Sequence, residues 1–188
     1  MPIRTLDLSS ALLVIDFQEG TRRYTGSLGP EAYGAAARLA VAFRNLARPV
    51  VLVRMQGGRG GRSDVAPEGS AYSFSPEAQA FVPELGQQAS DIVITRSSWG
   101  AFTGTDLQQR IVDLGITQVV ICGTAASIGV ESTVRQAYEL GFNVTIASDA
   151  TTDFNVDAMK NSIERIFPIL AEVGLSKDII RALESQSG

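Results

Sequence analysis

Two charged residues stand where they could do chemistry: Asp16 closes the apolar run ALLVI (residues 11–15), and Arg96 closes DIVIT (residues 91–95). A carboxylate at the rim of a buried strand is pushed toward its acid form by desolvation and toward its charged form by a nearby cation. Asp16 is read here as functional rather than as a turn or capping residue, on position alone. Arg96 fits a structural pair and a functional one equally well. A third feature is the small-residue joint Gly123-Thr124-Ala125-Ala126-Ser127-Ile128-Gly129, which carries an apolar strand into a helical pattern. Backbone N–H groups there can approach a ligand at the positive helix end. The joint is neither a dinucleotide fingerprint nor a P-loop. Ser127 reads most simply as a helix N-cap, since no histidine base exists to activate it as a nucleophile. Gln56, Arg59 and Arg62 follow the second apolar run, and arginines there could clamp a carboxylate. A solvated loop explains Arg59 and Arg62 equally well. Trp99 and Phe102 could wall an apolar pocket or pack their own loop.

The inventory of reactive groups narrows the chemistry. The chain of 188 residues has no histidine and one cysteine, Cys122. Of its 16 basic residues only Lys160 and Lys177 are lysine, which leaves 14 arginines. A Ser-His-Asp or Cys-His triad and a histidine-ligated metal are excluded, as are an internal disulfide and a cysteine-rich zinc site. Cys122 ends an apolar run and reads as a small buried hydrophobe. The net charge of −4 gives no basic footprint for nucleic acid. The start, MPIRTLDLSS, lacks the apolar region of a signal peptide, and no apolar run approaches the roughly 20 residues that span a bilayer. No membrane association and a cytoplasmic setting are therefore expected.

The elements that must position these groups alternate. Strands are predicted at residues 11–15, 50–55, 91–95, 117–122 and 142–147, with a weak sixth at 173–175. Helical spacing marks residues 31–47, 107–114, 130–137, 156–170 and 178–184. Strands that read as continuous apolar runs between helices imply a parallel sheet covered on both faces. The expected fold is a doubly wound α/β sheet, mainly parallel and six-stranded, in one domain over residues 1–188. Ligands in such sheets bind outside the carboxyl ends of the strands, which selects Asp16 to Gln18, the stretch from Met55, Arg96 to Trp99, Gly123 to Gly129, and Ser148 with Asp149. Residues 56–75, which include GGRGGRSD, lack a core pattern and read as a flexible loop or a lid.

Three blocks together resemble the isochorismatase-like hydrolases, also called the cysteine hydrolases. They are ALLVIDFQ, ITRSSWGAFTGTDLQQRIVDLGITQVVICG and GTAASIGVESTVRQAYELGFNVTIASDATTDF. The family has its catalytic aspartate at the place of Asp16, a catalytic lysine at that of Arg96 and a nucleophilic cysteine at that of Gly129. Cys122 lies seven residues too early to substitute. The pattern is more similar to the cysteine-lacking isochorismatase branch, which hydrolyses a vinyl ether without a protein nucleophile. The resemblance implies hydrolysis of a small carboxylate such as isochorismate, with Asp16 as general acid, no metal and no cofactor. It also implies a homodimer or larger homo-oligomer. Gln56 matches a substrate-contacting glutamine, Arg59 or Arg62 a carboxylate-binding lid arginine, and Trp99 an active-site aromatic. Phe17, Gln18, Thr124, Ala125 and Ser127 complete the implied substrate-binding set. Two other readings stand beside it: a cysteine-independent hydrolase of another substrate, and a degenerate member that binds a small anion. The degenerate reading predicts a crevice filled by side chains such as Trp99, or Arg96 locked in a buried pair. Arg96 beside Asp16 is expected to favour the carboxylate over the acid.

Overall fold

The computed structural model describes residues 3–186. Eight strands follow along the chain: β1 Ser10–Ile15, β2 Val50–Met55, β3 Gly57–Gly58, β4 Tyr72–Ser73, β5 Ile92–Arg96, β6 Gln118–Gly123, β7 Asn143–Thr151 and β8 Glu172–Gly174. Six of them form one sheet in the order β5-β2-β1-β6-β7-β8, and every neighbouring pair in it is parallel. The doubly wound sheet expected from the sequence is present.

Side-chain alternation divides the apolar strands between two cores. Leu12, Val14, Leu52, Val120 and Cys122 pack beneath the helices Gly29–Asn45 and Ser176–Glu184. Leu13, Ile15, Val53, Ile94 and Ile121 face the other way, onto Leu107, Ile111, Val130, Val134 and Phe167. β1 is buried along its whole length. It is therefore uniformly apolar up to the point where it must leave the sheet.

The chain starts at the sheet's centre, moves out through β2 to β5, and returns to β6 on the opposite side of β1. The strand order therefore reverses between β1 and β6, and their carboxyl ends diverge into the crevice where such sheets place ligands. Asp16 and Thr124 are the first residues past those two ends.

Two sequence expectations need correction. The helical pattern over 156–170 is not one helix: it runs Val156–Asn161, widens into a π-helical turn at Ser162–Ile166, and resumes as Phe167–Leu170. Pro168 has no N–H to return to the turn before it, so the ladder is broken there. Residues 56–75 are not wholly irregular either, because β3 and β4 pair as an antiparallel ribbon. No helix among the described residues is long and apolar enough to cross a membrane.

Candidate active site

Asp16 takes a left-handed backbone conformation, φ 52°, which aspartate tolerates better than most residues. Its N–H donates to the Val53 carbonyl at 2.9 Å, and its own carbonyl accepts the Gln18 N–H at 2.9 Å and the Thr21 hydroxyl at 2.6 Å. The conformation turns the chain off the sheet and is held by three hydrogen bonds.

Its side chain meets Arg96, which ends β5 two strands away. The Arg96 Nη2 donates to Asp16 Oδ2 at 2.7 Å, and both side chains are buried, at 0% and 7% exposure. Arg96 Nη1 donates to the Ser98 carbonyl. Two atoms of this pair find no partner despite burial: Asp16 Oδ1 and Arg96 Nε. Unsatisfied buried polar atoms are costly and call for a reason.

Gly129 completes the group. It lies in a π-helical turn, Ala126–Val130, that leads into the helix Glu131–Glu139. A Cβ at this position would stand 3.1 Å from Asp16 Oδ2 and 3.2 Å from Arg96 Nη2. Glycine thus leaves open the space directly against the ion pair, which any side chain would fill. The three positions singled out as catalytic converge on one point.

Electrostatics here set burial against the cation that the sequence shows. Arg96 does draw Asp16 toward the carboxylate, but burial outweighs it, and the Asp16 carboxyl is pushed up to about 6. The acid form is therefore within reach near neutral pH. At the other face of the sheet, burial and then the Asp149 charge raise the Cys122 thiol above its ordinary range. Cys122 is fully buried among the residues under the helix Gly29–Asn45, as expected of core packing.

The positions implied to bind substrate separate into two groups. Phe17 and Gln18 do not line the crevice. Phe17 is wholly buried and meets the Tyr33 ring edge-on at 4.7 Å. Gln18 is equally buried: its amide donates to the carbonyls of Met55 and Ala78 and accepts the Met55 N–H. Its amide thus ties the end of β1 to the end of β2 and to the short helix Pro76–Gln79. Ser127 is not an N-cap. It lies inside the turn, and its N–H and hydroxyl both donate to Asp153 Oδ2 at 2.8 and 2.7 Å. Thr124 is buried and its N–H donates to the Ile15 carbonyl, while the half-buried Ala125 accepts the N–H groups of Ile128 and Val130; the peptide between them is cis.

Gln56, Arg59, Arg62 and Trp99 remain on the open side. Gln56 is exposed and its amide donates to the Ser97 hydroxyl at 3.1 Å. Arg59 and Arg62 are exposed on the segment between β3 and β4, and the Arg59 guanidinium lies beside Gly104. Trp99 is 61% exposed, so it does not fill the crevice. Phe102 is buried and stacks on Phe142, which settles it as packing. Asp149, selected by the strand-end rule, accepts the N–H and hydroxyl of Ser176 and so caps the last helix.

Two residues of the crevice region escaped the sequence reading. Asp153 is buried and accepts three hydrogen bonds, from Ser127 twice and from the Asn155 N–H. Tyr72 arrives on β4, with its hydroxyl donating to Met55 Sδ at 3.2 Å. The only available signal was Asp153's place just past an apolar run. Among the described residues no group of three or more histidine, cysteine, aspartate and glutamate side chains could hold a metal.

A family model described as the isochorismatase domain matches residues 10–178. An uncharacterized isochorismatase family protein of Escherichia coli O157:H7, YecD, is 40% identical over 187 residues, covering 93% of this chain and 96% of that protein. The solved structure of an isochorismatase family protein from Burkholderia thailandensis superposes with a TM-score of 0.89 at 39% identity, covering 97% of this chain and 98% of the other. Enterobactin synthase component B of Escherichia coli K12 is more distant, 27% identical over 114 residues, which are 61% of this chain and 40% of that protein.

Proposed function

Because the chain belongs to the isochorismatase family of hydrolases, we propose that it cleaves the vinyl ether of a small ring carboxylate, isochorismate being the model substrate, without a protein nucleophile. The observation that carries this reading is the buried, unpartnered Oδ1 of Asp16, on a carboxyl whose other oxygen, Oδ2, borders the space that Gly129 leaves open. Oδ2 is engaged by Arg96, so Oδ1 is the oxygen free to carry the proton. With the carboxyl pushed up to about 6, about one molecule in ten holds that proton at pH 7.

Asp16 passes its proton to the terminal vinyl carbon, and the ether oxygen stabilises the resulting oxocarbenium ion. Water adds to that cation and returns a proton to Asp16. The hemiketal carbon–oxygen bond then breaks, giving pyruvate and the ring alcohol. One water is consumed and the aspartate is regenerated. Positioned proton transfer of this kind contributes about 10²–10⁴-fold. Arg96, always charged, orients Asp16 and donates no proton. The same reading carries a homo-oligomeric assembly, which the family resemblance implies, and a cytoplasmic setting.

One observation favours a second reading. Arg96 is held in a buried pair, as expected if the site were degenerate and bound a small anion. Incubation with isochorismate, following pyruvate, separates the two. Turnover that disappears in Asp16→Asn supports the hydrolase. Absence of turnover in the wild type that appears in Arg96→Lys supports the degenerate site.

A further inference from the structure

The residues between β3 and β4 place one aromatic side chain with unusual care. Gly58 pairs with Tyr72 across the ribbon, and a Cβ on Gly58 would collide with the Tyr72 ring. Phe74 meets that ring edge-on at 5.6 Å, and its N–H donates to the Gln56 carbonyl. The ring is thus seated from two sides while remaining 51% exposed.

Its hydroxyl is aimed at the crevice. It donates to Met55 Sδ at 3.2 Å, and Met55 is in register with Arg96, so both side chains leave the same face of the sheet. The phenol is close enough to feel both Asp16, which raises its pKa, and Arg96, which lowers it, although burial is the larger effect. A thioether is a weak acceptor, so this donor is spent on little and is free to be exchanged for a better partner.

We propose that Tyr72 is the carboxylate donor of the substrate site: on binding, its hydroxyl leaves the Met55 sulfur and donates to the carboxylate of a small ring acid. The proposal rests on the carboxylate reading of the crevice and names the group that performs it. Arg96 is poorly placed for this task, since Nη2 serves Asp16, Nη1 serves the Ser98 carbonyl, and the remaining Nε is buried. A neutral donor also has an advantage over another cation. It holds an anion without drawing Asp16 further toward its charged form.

Benzoate is the probe, with benzamide as its neutral counterpart, and calorimetry the readout. Tyr72→Phe keeps the ring and removes the hydroxyl. Loss of one hydrogen bond to a charged group is expected to raise the benzoate dissociation constant about tenfold or more, with benzamide changed less than about threefold. Equal benzoate affinity in Tyr72→Phe overturns the proposal, and so does a wild type that does not bind benzoate. Pyruvate release from isochorismate is measured on the same samples. Benzoate binding through Tyr72 without any pyruvate supports the Tyr72 site while overturning the proposed reaction.

Discussion

Strand β5 is bracketed by two aspartate–arginine pairs, one at each end. Before its amino end Asp91 meets Arg44 from the helix Gly29–Asn45: Nε donates to Oδ1 at 2.9 Å, Nη2 to Oδ2 at 2.7 Å, and the Gln88 N–H adds a third bond at 2.8 Å. Both carboxylate oxygens and one whole edge of the guanidinium are used. At its carboxyl end Arg96 meets Asp16 through one contact, and Asp16 Oδ1 and Arg96 Nε are left without partners. The residue types are the same; the Asp16–Arg96 pair is buried, and the Asp91–Arg44 pair is largely so. The first is a bidentate fork, the arrangement that best offsets the cost of burying charge. The second forgoes that satisfaction and retains an oxygen that can hold a proton. One end of the strand holds the sheet to its helix; the other is, in the proposed reading, the end that reacts.

The largest expected effect tests this division directly. Asp16→Asn should lower isochorismate turnover about 10²–10⁴-fold, the usual contribution of a positioned acid. Asp91→Asn should leave the rate within about twofold. Comparable losses in both variants would erase the distinction between the two ends. Stability gives the converse. Removing one partner of a buried pair strands the other charge, so Asp91→Ala should lose about 3–5 kcal/mol in urea unfolding. A loss below about 1 kcal/mol would place the Arg44 fork with ordinary surface pairs.

The pH dependence sharpens the comparison further. Turnover that needs the acid form of Asp16 should fall as pH rises through about 6. Arg96→Gln removes the cation that opposes burial, so the limb should move to higher pH; Arg44→Gln should leave it in place. A limb unmoved in Arg96→Gln would mean that another group sets it. The same displacement has a sign in stability. The folded pKa lies above the ordinary 3.8, so the native state binds more protons between the two values. Asp16 then favours the fold below pH 3.8, and that contribution is lost as pH rises through 6. The stability of wild type relative to Asp16→Asn, measured by urea unfolding, should therefore fall as pH rises over this window.

Much of this arrangement is legible in the sequence, and the parts that are not share a cause. Strands buried on both faces must be unbroken apolar runs, which makes β1, β2 and β6 visible without a structure, and the less buried β5 and β7 still carry enough apolar residues to show. Asp16 and Arg96 stand out because each ends such a run, and Gly129 because the family resemblance marks its place. Asp149 and Asp153 are different. Their carboxylates cap turns 27 and 26 residues away in the chain, and no local pattern encodes a partner at that distance. Tyr72 belongs to a strand of two residues within a glycine-rich stretch, too short for any period to show. Phe17 and Gln18 share Asp16's neighbourhood in sequence, yet turn into the core once the left-handed residue redirects the chain. Burial at Asp16 escapes the sequence for a related reason: the cation is visible as a residue, whereas the depth of burial that outweighs it belongs to the folded whole.

The smallest expected effect concerns the one thiol. Cys122 and Val14 belong to the core beneath the helix Gly29–Asn45, whereas Ile15 and Val130 belong to the opposite core. Gly129 stands against Ile15 Cγ2 and the ion pair, so the sheet itself separates the thiol from the place a nucleophile would occupy. Burial also raises the thiol's pKa, which withholds the thiolate that attack would need. Cys122→Ser should therefore leave turnover within about twofold. It should still cost about 1–3 kcal/mol of stability, because the new hydroxyl is a stronger hydrogen-bonding group with no partner in an apolar site. A folded Cys122→Ser protein without turnover would break the comparison from an unexpected side, since chemistry would then depend on a group across the sheet from Asp16.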